Sequence, residues 1–208
     1  MIIFLIILKK GNISQSEFEK LEKIQSKIED YSLTLIDDIF ELNELIKKVR
    51  FLKRKFKSED KKIKAIFIDY LQLMEINYLN KNYNKNNEIG VITKRLKKLQ
   101  KEIGCPIILL SQLNRNLEKN IIPRRPIISD LRESGNIEQD ADVVVLLHRP
   151  GKGNPEEPQD IIEFIIAKHR EGELGIVKAK FAPDMTNFFD LSDEFIDNYN
   201  KKMGQIAF

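Results

Sequence analysis

Four short runs of this sequence place side chains that could handle phosphate. Ala65-Ile66-Phe67-Ile68-Asp69 is an apolar run closed by an acid. A buried strand of that kind delivers a carboxylate to its C-terminal end, where open α/β sheets bind ligands. There it can hold Mg²⁺ on a nucleotide, the arrangement of a Walker B strand. The same run also fits an aspartate that only caps the next turn. Ser111-Gln112-Leu113-Asn114-Arg115 follows a second apolar run, Ile107 to Leu110. An amide at a strand end can sense a γ-phosphate or orient a water, and it can equally be the polar start of a loop.

The third run is Ser129-Asp130-Leu131-Arg132-Glu133-Ser134-Gly135, downstream of a basic loop over Leu117 to Pro126. Gly135 could let backbone N–H groups come close to phosphates. The alternative is a turn with a local Arg132–Glu133 pair. The fourth run, Lys168-His169-Arg170, closes a later strand. Strand alternation puts Lys168 and Arg170 on one face and His169 on the other. Two cations projecting together can engage a polyphosphate, and the arginine fork suits charge in phosphoryl transfer. A solvated strand end explains the same triplet.

These residues need strands and helices to position them. Ser14 and Glu17 have capping-box spacing, which predicts a helix from there to about Tyr31. Thr34 to Asp38 reads as a short strand. Leu42, Leu45, Ile46, Val49, Leu52 and Phe56 recur at helical spacing, and Lys57 to Lys64 is a charged connection. Ala65 to Asp69, Ile107 to Leu110 and Val143 to Leu147 read as strands buried on both faces, as in a parallel sheet. Asn77 to Asn87 reads as a mobile loop. Ile92, Leu96, Leu99 and Ile103 mark a helix that Gly104 caps and Pro106 stops. Gly151 to Pro158 is a turn region. Ile161 to Lys168 and Ile176 to Phe181 read as consecutive strands joined at Glu171-Gly172. The fold class is therefore α/β with a largely parallel sheet.

Composition removes several classes of function. The chain has 208 residues, 42% of them hydrophobic, enough for a core. Its single cysteine, Cys105, excludes a disulfide framework and reads as a small apolar filler. Two histidines, His148 and His169, cannot make an ordinary zinc site. The net charge of +3 comes from 26 Lys and 9 Arg against 32 acids, so the few arginines are more informative than the many lysines. Met1 to Leu8, MIIFLIIL, is too short for a bilayer span of about 20 residues, and no positive segment precedes it. The expected setting is the cytoplasm and its nucleoid, or the organellar stroma for a plastid-encoded chain, with no membrane.

The runs IDYLQLM at 68–74, SQLNR at 111–115, RRPIISDLRESGNIEQDADVV at 124–144 and KHREGELG at 168–175 together resemble the replicative DNA helicases of the DnaB type. KKGNISQSEFEKL at 9–21 and LTLIDD at 33–38 extend the resemblance, which runs from about Lys10 to about Leu191. It implies a RecA-like ATPase domain over residues 1–191, flanked by helices, with a polar tail over 192–208. It also implies ATP and Mg²⁺ as cofactors. The partners implied are single-stranded DNA, a homo-hexamer or a P-loop-bearing helicase subunit, a primase and a helicase loader. By the same resemblance, Asp69 falls on the Walker B aspartate and Gln112 on the phosphate-sensing glutamine. Arg132, Glu133 and Gly135 fall on the DNA-facing loop. Lys168 and Arg170 fall on the basic pair that reaches the neighbouring subunit's ATP, with Arg170 as the arginine finger. His169 stands where glutamine is more usual.

One departure matters. No G-x-x-x-x-G-K-[ST] run is present; the only Gly-Lys pair, Gly151-Lys152, is followed by Gly153. The family's catalytic acid has no match either, and both would precede residue 1. The domain is therefore expected to be incomplete at its N-terminal side and inactive alone. The Ile107–Leu110 strand is expected to have an open edge, which MIIFLIIL could fill. The alternative function is an ATP-independent single-stranded-DNA-binding or hexamer-modulating remnant of such a helicase.

Overall fold

A computed structural model describes residues 14–16, 18–19, 22, 33–77, 85–114, 124–131, 134–182 and 187–192. The expectations for Met1 to Leu8, Glu17, most of the helix to Tyr31, the core of the 77–87 loop, the 117–123 part of the basic loop, Arg132, Glu133 and the tail beyond Ser192 lie outside them. The chain divides into two compact units. One comprises Asp38–Lys178, and the other Met1–Asp37 with Ala179–Phe208.

In the larger unit, α1 (Leu42–Ser58) forms because Leu42, Ile46 and Val49 fall on one face and are buried. Glu41 caps its start by accepting from the Glu44 N–H at 2.9 Å, and Lys55 and Lys57 sit in its last turn. In α2 (Lys85–Ile103), Ile89, Ile92, Leu96 and Leu99 are buried at helical spacing. Gly104 ends it at φ 80°, donating to the Gln100 carbonyl at 2.9 Å, and Pro106 follows. A bidentate ion pair from Arg50 to Glu102, at 2.7 and 2.8 Å, joins the two helices at the surface.

Two short strands, β1 (Ile66–Ile68) and β2 (Ile107–Leu109), pair in parallel with Ile66 opposite Ile107. A short helix, α3 (Ser134–Asp140), leads into β3 (Val143–His148). β3 runs antiparallel to β4 (Ile161–His169), and β5 (Gly175–Ala182) follows, its first half in this unit. Among the described strands, parallel pairing is confined to β1–β2, with one further parallel bridge between Glu41 and Glu75. One core gathers Leu42, Ile46 and Val49 of α1, Ile89, Ile92, Leu96 and Leu99 of α2, Ile68 of β1 and Val144 and Leu146 of β3. In the smaller unit, the end of β5 pairs antiparallel with β6 (Asn187–Asp190), and the Phe181 and Phe188 rings lie 5.2 Å apart.

Two expectations need correction. Leu33 to Phe40 form no strand; Leu35 is 84% exposed. The alternating leucines find no ladder there, and the backbone is instead tied where the Glu75 N–H donates to Phe40 and the Leu42 N–H to Glu75. The strands are also not buried on both faces. Ile68, Val144 and Leu146 face the core, whereas Phe67 (71% exposed), Ile108, Leu110, Val143, Val145 and Leu147 are exposed. Both faces are apolar, but α1 and α2 pack on only one.

Candidate functional site

Asp69 and Gln112 sit at the C-terminal ends of adjacent parallel strands, where sequence placed them. The strands stay in step past their ends: Leu110 N–H donates to Ile68 at 3.0 Å and Leu71 N–H to Leu110 at 2.9 Å. Both Asp69 and Gln112 are exposed. A third residue joins them. The Gln72 amide, in the turn after Asp69, donates from Nε2 to Ser111 Oγ at 3.0 Å, and its Oε1 accepts from the Gln112 N–H at 3.4 Å. Gln72 was present in the IDYLQLM run but carried no signal of its own role.

The residue after Gln112 is tied to the residue before Arg132. Leu113 and Leu131 form an antiparallel bridge, and the Asn114 N–H donates to Asp130 at 2.8 Å. Main chain thus joins the Gln112 strand end directly to the segment that precedes Arg132. That segment is stiffened locally. Arg124 makes a bidentate pair with Asp130, both bonds 2.7 Å, and the Ile127 N–H donates to the same carboxylate at 2.8 Å.

The same segment is anchored to β4. Arg125 Nε and Nη2 donate to the Glu163 carboxylate at 2.7 and 2.8 Å. Glu163 is fully buried, and Arg125 is half-exposed. His148 lies opposite Glu163 on β3. Burial pushes the His148 imidazole and the Lys178 ammonium below their ordinary ranges.

Gly135 lies in the first turn of α3, and a Cβ there would meet nothing within 4 Å, so its backbone is open to approach. Packing fixes α3 itself. A Cβ on Gly90 would fall 2.8 Å from the Asn136 amide, so any larger residue there would have to displace that side chain. The buried Thr93 hydroxyl donates to Asp140 at 2.5 Å.

Lys168 and Arg170, at the end of β4, converge on the far end of α3. Lys168 Nζ donates to the Glu138 carbonyl. Arg170 Nη2 donates to the Gln139 carbonyl at 2.9 Å and Nη1 to Asp142 at 3.2 Å. Asp142 also accepts from Lys97 of α2. His169 is exposed, and Gly172 leaves room for its ring: a Cβ there would stand 2.2 Å from it. Cys105 is buried, which raises its thiol pKa. Asp142 and Glu163, the two anchors, were missed in the sequence. Glu163 is a single acid within an apolar strand and Asp142 one of several acids before another, and the cations of both lie far along the chain.

Two carboxyls give a pH signature. The Arg124 guanidinium holds Asp130 below the ordinary carboxylate range, and the Lys97 ammonium, then Arg170 and Lys168, does so for Asp142. A pKa lowered by folding contributes stability above the unfolded value and loses it as pH falls through the folded one. The 124–142 segment should thus stay tight down to about pH 4 and loosen below it. Side-chain carboxyl NMR titrations should place both midpoints below 3.8. Midpoints at or above that value would remove the ion pairs from solution.

Comparison with known proteins identifies the family and the fold. The family model of the DnaB-like helicase C-terminal domain matches residues 3–190. A probable replicative DNA helicase of Trieres chinensis is 41% identical over 187 residues, covering 88% of this chain and 40% of that one. The replicative DNA helicase DnaC of Bacillus subtilis is 36% identical over 193 residues, covering 91% and 41%. The chain thus spans about two-fifths of the length of these relatives. Among solved structures, an isolated ATPase domain superposes with a TM-score of 0.80 at 34% identity, over 92% of this chain and 66% of that one. A DnaB-like replicative helicase, solved in a study of its interactions with primase, superposes with a TM-score of 0.77 at 36% identity, over 88% and 44%. The fold is RecA-like α/β, and the chain belongs to the DnaB-like helicase C-terminal domain family.

Proposed function

We propose that this chain is the C-terminal part of an ATP-dependent replicative DNA helicase, and that it works on nucleotide cradled by polypeptide outside these 208 residues. The observation that carries this reading is the main-chain link between the Gln112 strand end and the segment just before Arg132. Gln112 at a strand end is followed by Leu113, whose bridge to Leu131 brings the chain to the residue before Arg132, two residues ahead of α3 and its Gly135.

The residues fit half of a nucleotide site. Asp69 stands exposed at a strand end beside Gln112, while the sequence offers no backbone cradle. No cluster of three or more metal-binding side chains occurs among the described residues. Bound ATP with Mg²⁺ supplies the phosphoryl group whose hydrolysis drives movement on DNA. Asp69 would hold the magnesium, and Gln112 would face the terminal phosphate. Lys168 and Arg170 would bring positive charge to a neighbouring subunit's phosphates, Arg170 as the finger. Arg132, Glu133 and the open backbone at Gly135 would meet single-stranded DNA inside a ring, and primase and a loader are the partners the family implies.

The bared sheet face supports the same reading. Phe67, Ile108, Leu110, Val143, Val145 and Leu147 are large apolar groups on exposed strand positions. These strands belong to two separate sheets, β1–β2 and β3–β6, and the apolar groups exposed on each mark an interaction surface. No described helix is long and apolar enough to cross a membrane.

Reconstitution tests the proposal. The chain mixed with a family member that carries an intact P-loop but an alanine at its own finger should restore DNA-stimulated ATP hydrolysis and unwinding. No restoration at any ratio, with a mixed assembly demonstrated by mass, would sink it.

A further inference from the structure

The cations assigned to a neighbour's phosphates already have work inside their own chain. The last carbonyls of a helix lack intrahelical partners. In α3 the Ala141 N–H takes the Ile137 carbonyl at 3.0 Å, which leaves those of Glu138 and Gln139. Lys168 Nζ takes the first and Arg170 Nη2 the second, while the other Arg170 nitrogen donates to Asp142. The Arg170 N–H also donates to the Asp142 carbonyl at 3.0 Å, so the clamp is registered by main chain. Basic side chains at a helix C-terminus are favourable both as donors and against the helix dipole.

We propose that Lys168 and Arg170 are the C-terminal clamp of α3, so that holding α3 and reaching a neighbouring phosphate compete for the same two side chains. This rests on the reading of Lys168 and Arg170 as cations that act on a neighbour. Each Arg170 terminal nitrogen uses one of its two N–H bonds inside the chain, so the guanidinium is held against the end of α3 and must leave it to extend toward a neighbour. The groups are half-exposed, at 50% for Arg170 and 52% for Asp142. Ion pairs at such exposure are weak, so a desolvated, multiply charged phosphate can outcompete them. α3 begins at Ser134, directly after Arg132 and Glu133, so releasing its far end loosens the helix that continues the DNA-facing loop. By linkage the coupling is reciprocal and negative: a phosphate that draws the cations out softens α3, and anything that firms α3 holds the cations in.

Hydrogen exchange read by mass spectrometry tests the clamp in the full 208-residue chain, without nucleotide or partner. In the Lys168→Ala/Arg170→Ala double variant, amides over 138–141 should exchange roughly fivefold faster while those of α1 stay unchanged. Each single variant should show part of the effect. Unchanged exchange over 138–141 would overturn the proposal, and so would equal acceleration in α1 and α3, because the clamp would then not be local. The reading beneath it fails separately. A clamp seen by exchange, with mixed-assembly hydrolysis indifferent to Arg170, would leave the clamp standing and remove the finger. The converse pair of results would keep the finger and remove the clamp.

Discussion

Arg170→Ala should lower ATP hydrolysis by the mixed assembly about a thousandfold while leaving the chain folded. The size follows from what an arginine finger does in phosphoryl transfer, where charge on the transferring group is met by a guanidinium and the gain is on the order of 10³ or more. That is about 4 kcal/mol of transition-state stabilisation. The stability cost should be far smaller. Arg170 is half-exposed, and its partners are a surface carboxylate and one helix-end carbonyl. Exposed pairs are worth about 1 kcal/mol at most, so the melting temperature should move by no more than about 4 °C. Arg170→Lys should recover little, because a lysine is a point charge and not a fork. Steady-state hydrolysis and a thermal melt on the same preparations separate the two effects. A loss under tenfold would end the finger assignment.

Arg125→Ala should be the most destabilising single change in the segment that leads to the DNA-facing loop. Glu163 has no exposed surface, and Arg125 donates two hydrogen bonds to it from Nε and Nη2, with the Lys178 ammonium near enough to feel its charge. Removing one partner of such a pair leaves an uncompensated buried charge, which typically costs several kcal/mol. Arg125 is itself half-exposed, so the expectation is about 3 kcal/mol, or a fall in melting temperature of about 10 °C. The double change Arg125→Ala/Glu163→Gln should recover part of that loss, since a neutral amide is cheaper to bury than a lone carboxylate. Urea unfolding of the four chains gives the cycle directly. Equal loss in the single and double variants would mean the pair is not what anchors this segment.

These residues show what the sequence could and could not disclose. The helices were legible because their cores repeat: Leu42, Ile46 and Val49 in one, and Ile89, Ile92, Leu96 and Leu99 in the other. Asp69 and Gln112 were legible because an apolar run ending in a polar residue has one obvious place to put it. The Leu33 to Phe40 stretch misled because alternation measures a fit to a sheet, and no described strand lies alongside to supply it. The open sheet face was hidden for a related reason. An apolar run says that both faces tolerate burial, not that both are covered.

The anchors were hidden by distance along the chain. Arg125 and Glu163 are 38 residues apart, Lys97 and Asp142 are 45, and Gln72 and Ser111 are 39. Each pair exists only because strands β1 to β4 return to one core. The two roles of Arg170 illustrate the same point. A K-x-R at a strand end reads as outward-facing cations, and only folding shows that α3 ends where they point.

The claim on which the rest depends is that these 208 residues act on nucleotide they cannot cradle themselves. ATP hydrolysis by the purified chain alone, with and without single-stranded DNA, tests it most directly. The expected result is no release of phosphate above a protein-free control at saturating ATP and Mg²⁺. Sustained, DNA-stimulated turnover that disappears in an Asp69→Asn variant would contradict it.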